Sequence, residues 1–176
     1  MYDNNQILDI DIFEDENKID IELLSTQKFI LLSILTFGIY QVWWNYKSWK
    51  FLKQTYNLDV NPVLRAIFGV LFIYDLFKII NEKAVNDFGY SKKYSSGLLY
   101  IIVLFLNLCS RIDSISLISI FSFIGYILPY QSLNYIKEHL EVYNAKYING
   151  FNNRQIILIA IGSLLWISIL YNMLEV

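Results

Sequence analysis

Hydrophobic positions along this chain are gathered into long blocks rather than spaced at a regular amphipathic period. Five blocks stand out, at residues 29–46, 63–80, 94–110, 114–136 and 155–174. The third and fifth contain no charged residue. A span of the hydrocarbon core needs about 20 mostly apolar residues, with a range of ~17–25. The blocks therefore predict an all-α, polytopic helical membrane bundle of four to five segments. The second block is the least secure, because it carries Arg65, Asp75 and Lys78 and its uncharged centre runs only from Ala66 to Tyr74. It is read as crossing, as lying in the interface, or as dipping in and returning. Only Arg111-Ile112-Asp113 separates the third block from the fourth, which predicts a tight helical hairpin.

The ends of the blocks fit this reading. Pro62 suits the first turn of a helix, where its missing N–H costs nothing. Pro129 falls inside the fourth block and predicts a kink. Tyr40, Trp43, Trp44, Tyr46 and Trp49 are followed or interleaved by Lys47, Lys50 and Lys53. Such rings favour the headgroup level and lysines snorkel there, so these five aromatics are read as interfacial anchors. Leu140, Tyr143 and Tyr147 form an apolar stripe that predicts a short interfacial helix, and Asn149-Gly150 reads as a turn or helix stop. Gly38, Gly69, Gly125 and Gly162 are expected where helices approach closely.

Residues 1–28 differ in kind. They hold eight acids against Lys18 and Lys28, a net charge of −6, whereas the rest of the chain is +4. Two period-two runs, Leu8–Ile12 and Ile19–Leu23, suggest strands with a turn at Glu14 to Lys18; the stretch is read as a disordered acidic tail, as a small β-hairpin cap, or as a strand offered to a partner's sheet edge. The domain plan is thus an acidic N-terminal tail, 1–28, and a transmembrane helical domain, 29–176. No basic n-region precedes a short apolar stretch, so no secretory signal is expected. The balance of charge argues against nucleic acid, which needs a basic face. Abundant Ile, Asn, Lys, Tyr and Phe with little Ala, Pro or Arg point to an AT-rich, bacterial genome and to a multi-pass place in the bacterial cytoplasmic membrane.

Positive charge near span ends sets orientation. Five crossings place eight Lys or Arg on the side of the tail and four on the other, with the N-terminus inside. If the second block turns back, the bias becomes eleven to three and the tail lies outside. Both arrangements leave the C-terminus outside.

Chemistry is sparse. The chain has one histidine, His139, and one cysteine, Cys109, and no phosphate-binding, dinucleotide or serine-hydrolase motif. No catalytic residue, metal ligand or cofactor is expected. The candidate polar site is intramembrane. Asp75 and Lys78 are three apart and share a helix face, and Arg65 lies about 15 Å away along the same helix. They are read as a surface ion pair or as a polar site inside the bundle. Asn107, Gln131 and Asn134 are candidates for hydrogen bonds between helices.

Several strings resemble a family of uncharacterised bacterial integral membrane proteins, a domain of unknown function. Thr36-Phe37-Gly38-Ile39-Tyr40 with Trp43-Trp44, Tyr46 and Trp49 resembles their T-x-G-I-Y-x-x-W/Y-W/Y signature at the end of the first segment. Pro62, Arg65-Ala66, Tyr74, Leu76 and Phe77 resemble the second segment, with Leu64 where an aromatic is expected. Leu128-Pro129, Gln131, Asn134, Phe151 and Gly162 to Trp166 resemble the last third. The likeness covers residues 27–176 and implies no catalytic residue. The expected function is a non-enzymatic membrane scaffold or interaction protein, and the alternative is a small-solute or ion transporter or channel component. Expected partners are the lipid bilayer, a protein bound through the acidic tail, and further copies of the chain.

Overall fold

The structure is a computed structural model. It describes residues 18–174, with side chains over that range except at 113–116, 170 and 172–174. The element order is β1 (Ile19–Leu23), α1 (Thr26–Leu35), α2 (Ile39–Tyr56), α3 (Pro62–Ile67), α4 (Gly69–Phe88), α5 (Ser96–Cys109), a 3-10 helix (Asp113–Tyr126), α6 (Ile127–His139), β2 (Tyr143–Tyr147) and α7 (Asn153–Leu174).

Local chemistry sets the boundaries. Ser25 starts α1 by accepting from the Lys28 amide, and Ser95 starts α5 by accepting from the Leu98 amide. Asn61 accepts from the amides of Val63 and Leu64, with Pro62 at the first position of α3. Gly89 closes α4 at φ 67°, a left-handed cap that glycine takes without strain.

Among the described residues no helix is long and apolar enough to cross a membrane. This overturns the expected polytopic membrane bundle, the transmembrane helical domain and the multi-pass place in a cell membrane. The physical reasons are local. The first block is cut at Phe37 and Gly38, whose φ values of 50° and 82° cannot belong to a continuing helix. What remains is α1, of 10 residues or about 15 Å, and α2, which carries three lysines. The second block breaks at Phe68 between α3 and α4, and α4 carries Asp75, Lys78, Glu82, Lys83 and Asp87. The third block is a helix of 14 residues, about 21 Å. The fourth changes from 3-10 to α geometry after Tyr126, so Pro129 sits in the first turn of α6 instead of kinking a long helix.

The expected hairpin of the N-terminal stretch is also corrected. Leu8–Ile12 lies outside the described residues. Ile19–Leu23 is a strand, but it pairs in parallel with β2, Ile19 opposite Tyr143 and Leu23 opposite Tyr147. The interfacial helix expected around Tyr143 and Tyr147 is this second strand. A parallel pair needs a long crossover, and here the crossover is most of the helical body.

The core is aromatic. Phe29 is fully buried and stacks on Tyr130 at 4.2 Å between ring centroids, with Tyr40 and Trp44 at 5.9 and 6.0 Å. Tyr126 meets Trp44 and Phe77 edge-on. Leu76, Phe77 and Ile80 of α4 and Leu133 and Ile136 of α6 are fully buried. Asn81 closes the 89–95 loop by donating to the Tyr94 carbonyl and accepting from its amide. Two of the four glycines mark close approaches. A Cβ on Gly125 would meet Val103 and the Leu99 carbonyl, and one on Gly162 would meet the Leu35 carbonyl. The three-residue repeat of the 3-10 helix puts Ser119, Ser122 and Gly125 on one ridge. That row of small residues lets the helix lie close to its neighbours.

Candidate functional site

A cleft of about 700 Å³ opens between β1, α2, α6, β2 and the start of α7. Helical spacing builds two of its walls. Trp43, Lys47, Lys50 and Gln54 line it from α2, and Tyr130, Asn134 and Lys137 line it from α6. α6 is held to the end of β1 through a single carbonyl. Leu24 O accepts from Tyr130 Oη at 2.7 Å and from Asn134 Nδ2 at 3.1 Å. On the far side the Ile148 amide donates to Leu23 O, and Lys28 Nζ donates to Ile148 O at 2.6 Å.

The cleft is cationic. Lys47, Lys50, Lys137 and Arg154 face it, against Asp20 and Glu22. One of these acids is engaged within the sheet. Asp20 accepts from Asn144 at 2.7 Å and pairs with Lys146 at 3.7 Å, and Glu22 stands opposite Lys146. Among the described residues none of the four cations forms an ion pair. Two lie against rings instead: the Lys137 ammonium over Phe51 at 5.1 Å and the Arg154 guanidinium over Trp43 at 5.8 Å.

Lys137 is the perturbed group. The residue is half-buried at its surface, yet its ammonium is surrounded by protein. Loss of hydration lowers its pKa from 10.5 to about 8, and the like charge of Lys47 adds to the effect. Burial pushes the phenols of Tyr40 and Tyr130 upward, so both stay neutral. A folded-state pKa below the free value means that the unfolded chain binds more protons between pH 8 and 10.5, and stability rises with pH across that window. The Lys137→Met variant is therefore expected to be more stable than the parent at pH 7, with the gap narrowing as pH approaches 10.5. Urea midpoints at pH 7 and 9.5 check this, and a parent as stable as the variant at pH 7 would contradict it.

The polar site expected from the sequence is not assembled. Lys78 pairs with Glu82 at 4.0 Å, not with Asp75, and both partners are more than half exposed. Arg65 stacks over Trp49 at 4.3 Å and Phe72 at 5.0 Å. Of the five aromatics read as interfacial anchors, Tyr40, Trp44 and Trp49 are core residues with 5% or less of their surface exposed. Trp43 and Tyr46 are half-buried and pack on each other at 5.5 Å. Asn107 bonds within its own helix, to Val103 O, whereas Asn134 does bridge elements through Leu24. His139 is exposed, stacks on Tyr135 and donates from Nδ1 to the Tyr135 carbonyl. Among the described residues no group of His, Cys, Asp or Glu could hold a metal ion.

A second, smaller pocket of about 300 Å³ lies between α2, α4, α5 and the 3-10 helix. Buried Gln41 accepts from Ser122 Oγ and buried Asn45 donates to Tyr126 Oη.

The cationic cleft was missed because its parts are remote in sequence. Lys47, Lys137 and Arg154 come from three elements, and each was read as a charge at the end of a separate span. The i, i+4, i+7 spacing of Tyr130, Asn134 and Lys137 was the available signal. Comparison with known proteins adds no assignment: no protein family, curated protein or solved structure matches this chain.

Proposed function

We propose that this protein is a non-enzymatic interaction protein that sets a band of apolar helix faces against a lipid surface. One observation carries the reading: the exposed apolar residues and the charged residues occupy different parts of the body. Val63, Leu64, Ile67, Phe68, Val70 and Leu71 are each at least half exposed on α3 and the start of α4. Leu98, Ile101, Phe105 and Leu108 continue the band along α5, Phe121 and Ile124 along the 3-10 helix, and Ile156, Ile157, Ile161, Leu164 and Ile167 along α7. Apart from Arg65, Arg111 and Asp113, the charges of the described residues gather in residues 18–28, 47–59, 75–93 and 137–154. Exposed apolar patches larger than a few hundred Å² mark interaction surfaces. A band carried by several successive helices suits a continuous apolar phase better than one flat protein face. The transport alternative draws no support from Asp75 and Lys78, neither of which lines the cleft or the smaller pocket.

Flotation with neutral phosphatidylcholine vesicles tests the proposal. The protein is expected to rise with the vesicles. Leu71→Glu with Phe105→Glu, at positions 69% and 61% exposed, is expected to weaken binding roughly tenfold or more, because each buried Leu or Phe is worth ~1.5–3 kcal/mol. Protein that stays in the dense fractions, or a double variant that floats as well as the parent, would remove the reading.

A further inference from the structure

We infer that the cleft between β1, α2 and α6 is a binding site for a phosphate monoester, held by Lys47, Lys50, Lys137 and Arg154. This goes beyond the apolar contact and stands without it.

The charge count selects the ligand. Four cations against two acids leave an excess of two positive charges, which matches a doubly charged monoester. Asp20, one of the two acids, is already held by Asn144 and Lys146. The donors also fit. A guanidinium presents a planar fork and an ammonium three rotatable donors, the two groups that recognise phosphate oxygens. Three separate elements supply them, so the arrangement is a tertiary product and not a charged run on one helix face. Lys137 in addition bears the cost of a charge enclosed by protein without a carboxylate beside it. An anion in the cleft removes that cost, by supplying the missing partner. The cleft is larger than phosphate alone requires, and Trp43, Phe51 and Tyr143 line it. The organic part of the ester lies against these rings.

The same chemistry is offered by a free phosphate monoester and by the headgroup of phosphatidate, and the experiment separates them. Binding of the full chain to inorganic phosphate is measured by calorimetry. Binding to phosphatidylcholine vesicles with and without phosphatidate is measured by flotation. Affinity for inorganic phosphate assigns a soluble ester. Preference for phosphatidate vesicles without affinity for inorganic phosphate assigns the headgroup. Either supports the site. Lys137→Gln with Arg154→Gln is expected to weaken the selected interaction roughly tenfold or more, while Lys92→Gln, an exposed lysine of another loop, leaves it unchanged. If circular dichroism shows the double variant misfolded, the exposed pair Lys47→Gln and Lys50→Gln carries the same expectation. No binding to inorganic phosphate and no preference for phosphatidate over neutral vesicles would overturn the site. Equal losses in the Lys92→Gln control would also overturn it, because the effect would then be net charge. Failure on neutral vesicles alone touches only the apolar contact.

Discussion

Phe29→Ala is expected to lower stability by about 3–5 kcal/mol, the range for truncating a large buried aromatic. That is a large share of the ~5–15 kcal/mol by which a domain of ordinary stability stays folded. Phe29 has no exposed surface, and its ring is shared by three others, stacked on Tyr130 and tilted or edge-on to Tyr40 and Trp44. Removing it opens a cavity among groups that cannot all move inward. Tyr130 is tied through its hydroxyl to Leu24 O, and the Tyr40 amide donates to Thr36 Oγ1. The loss also reaches the cleft, since Tyr130 and Leu24 hold β1 against α6. A urea titration read by near-ultraviolet circular dichroism measures it. Phe29→Leu is expected to recover part of the loss by refilling volume without the stacking. A Phe29→Ala variant with an unchanged midpoint would show that this ring is not at the centre of the core.

Gly162→Val is expected to separate α7 from α1. A Cβ at this position would occupy the space of the Leu35 carbonyl and lie within 3.1 Å of Thr36 Cα. These are backbone atoms at the point where α1 ends, so they cannot rotate away as a side chain would. Overpacking of this kind costs about 1–3 kcal/mol and occasionally more, and the alternative to strain is displacement of the helix. Two contacts report it: Trp166 Nε1 donates to Ile34 O at 3.3 Å, and the Trp166 ring lies 4.6 Å from that of Phe37. The expected signature is faster amide exchange along α7 and a changed tryptophan spectrum, with exchange in α4 and α6 preserved. Gly162→Ala is expected to act in the same direction and less strongly. Unchanged exchange in α7 would mean that the two helices do not meet at Gly162.

Helix content was legible in the sequence because long apolar blocks favour helices whatever surrounds them. Pro62 marked a true helix start, because its missing N–H costs nothing in a first turn. The close approach at Gly125 and Gly162 was also legible, since small residues in apolar helices have few other uses. The breaks inside the first two blocks were not. Phe37 has positive φ although its side chain does not favour it, and the turn is held by bonds such as Gly38 N to Ser33 O and Thr36 Oγ1 to Leu32 O. Apolarity alone cannot distinguish one long helix from two short ones that fold back and bury each other.

The sequence by itself determined that the chain is mainly helical, that its apolar and charged residues are segregated, and that recognisable catalytic motifs are lacking. These properties follow from residue type and spacing over a few turns. Tertiary structure decided the rest. It turned Tyr40, Trp44 and Trp49 inward, paired Lys78 with Glu82, joined Ile19–Leu23 to a strand more than a hundred residues away, and gathered Lys47, Lys137 and Arg154 around one cleft. The reason is that a local pattern states which surface must be covered. Only the packed chain determines which remote element covers it, and which charges are left facing one another.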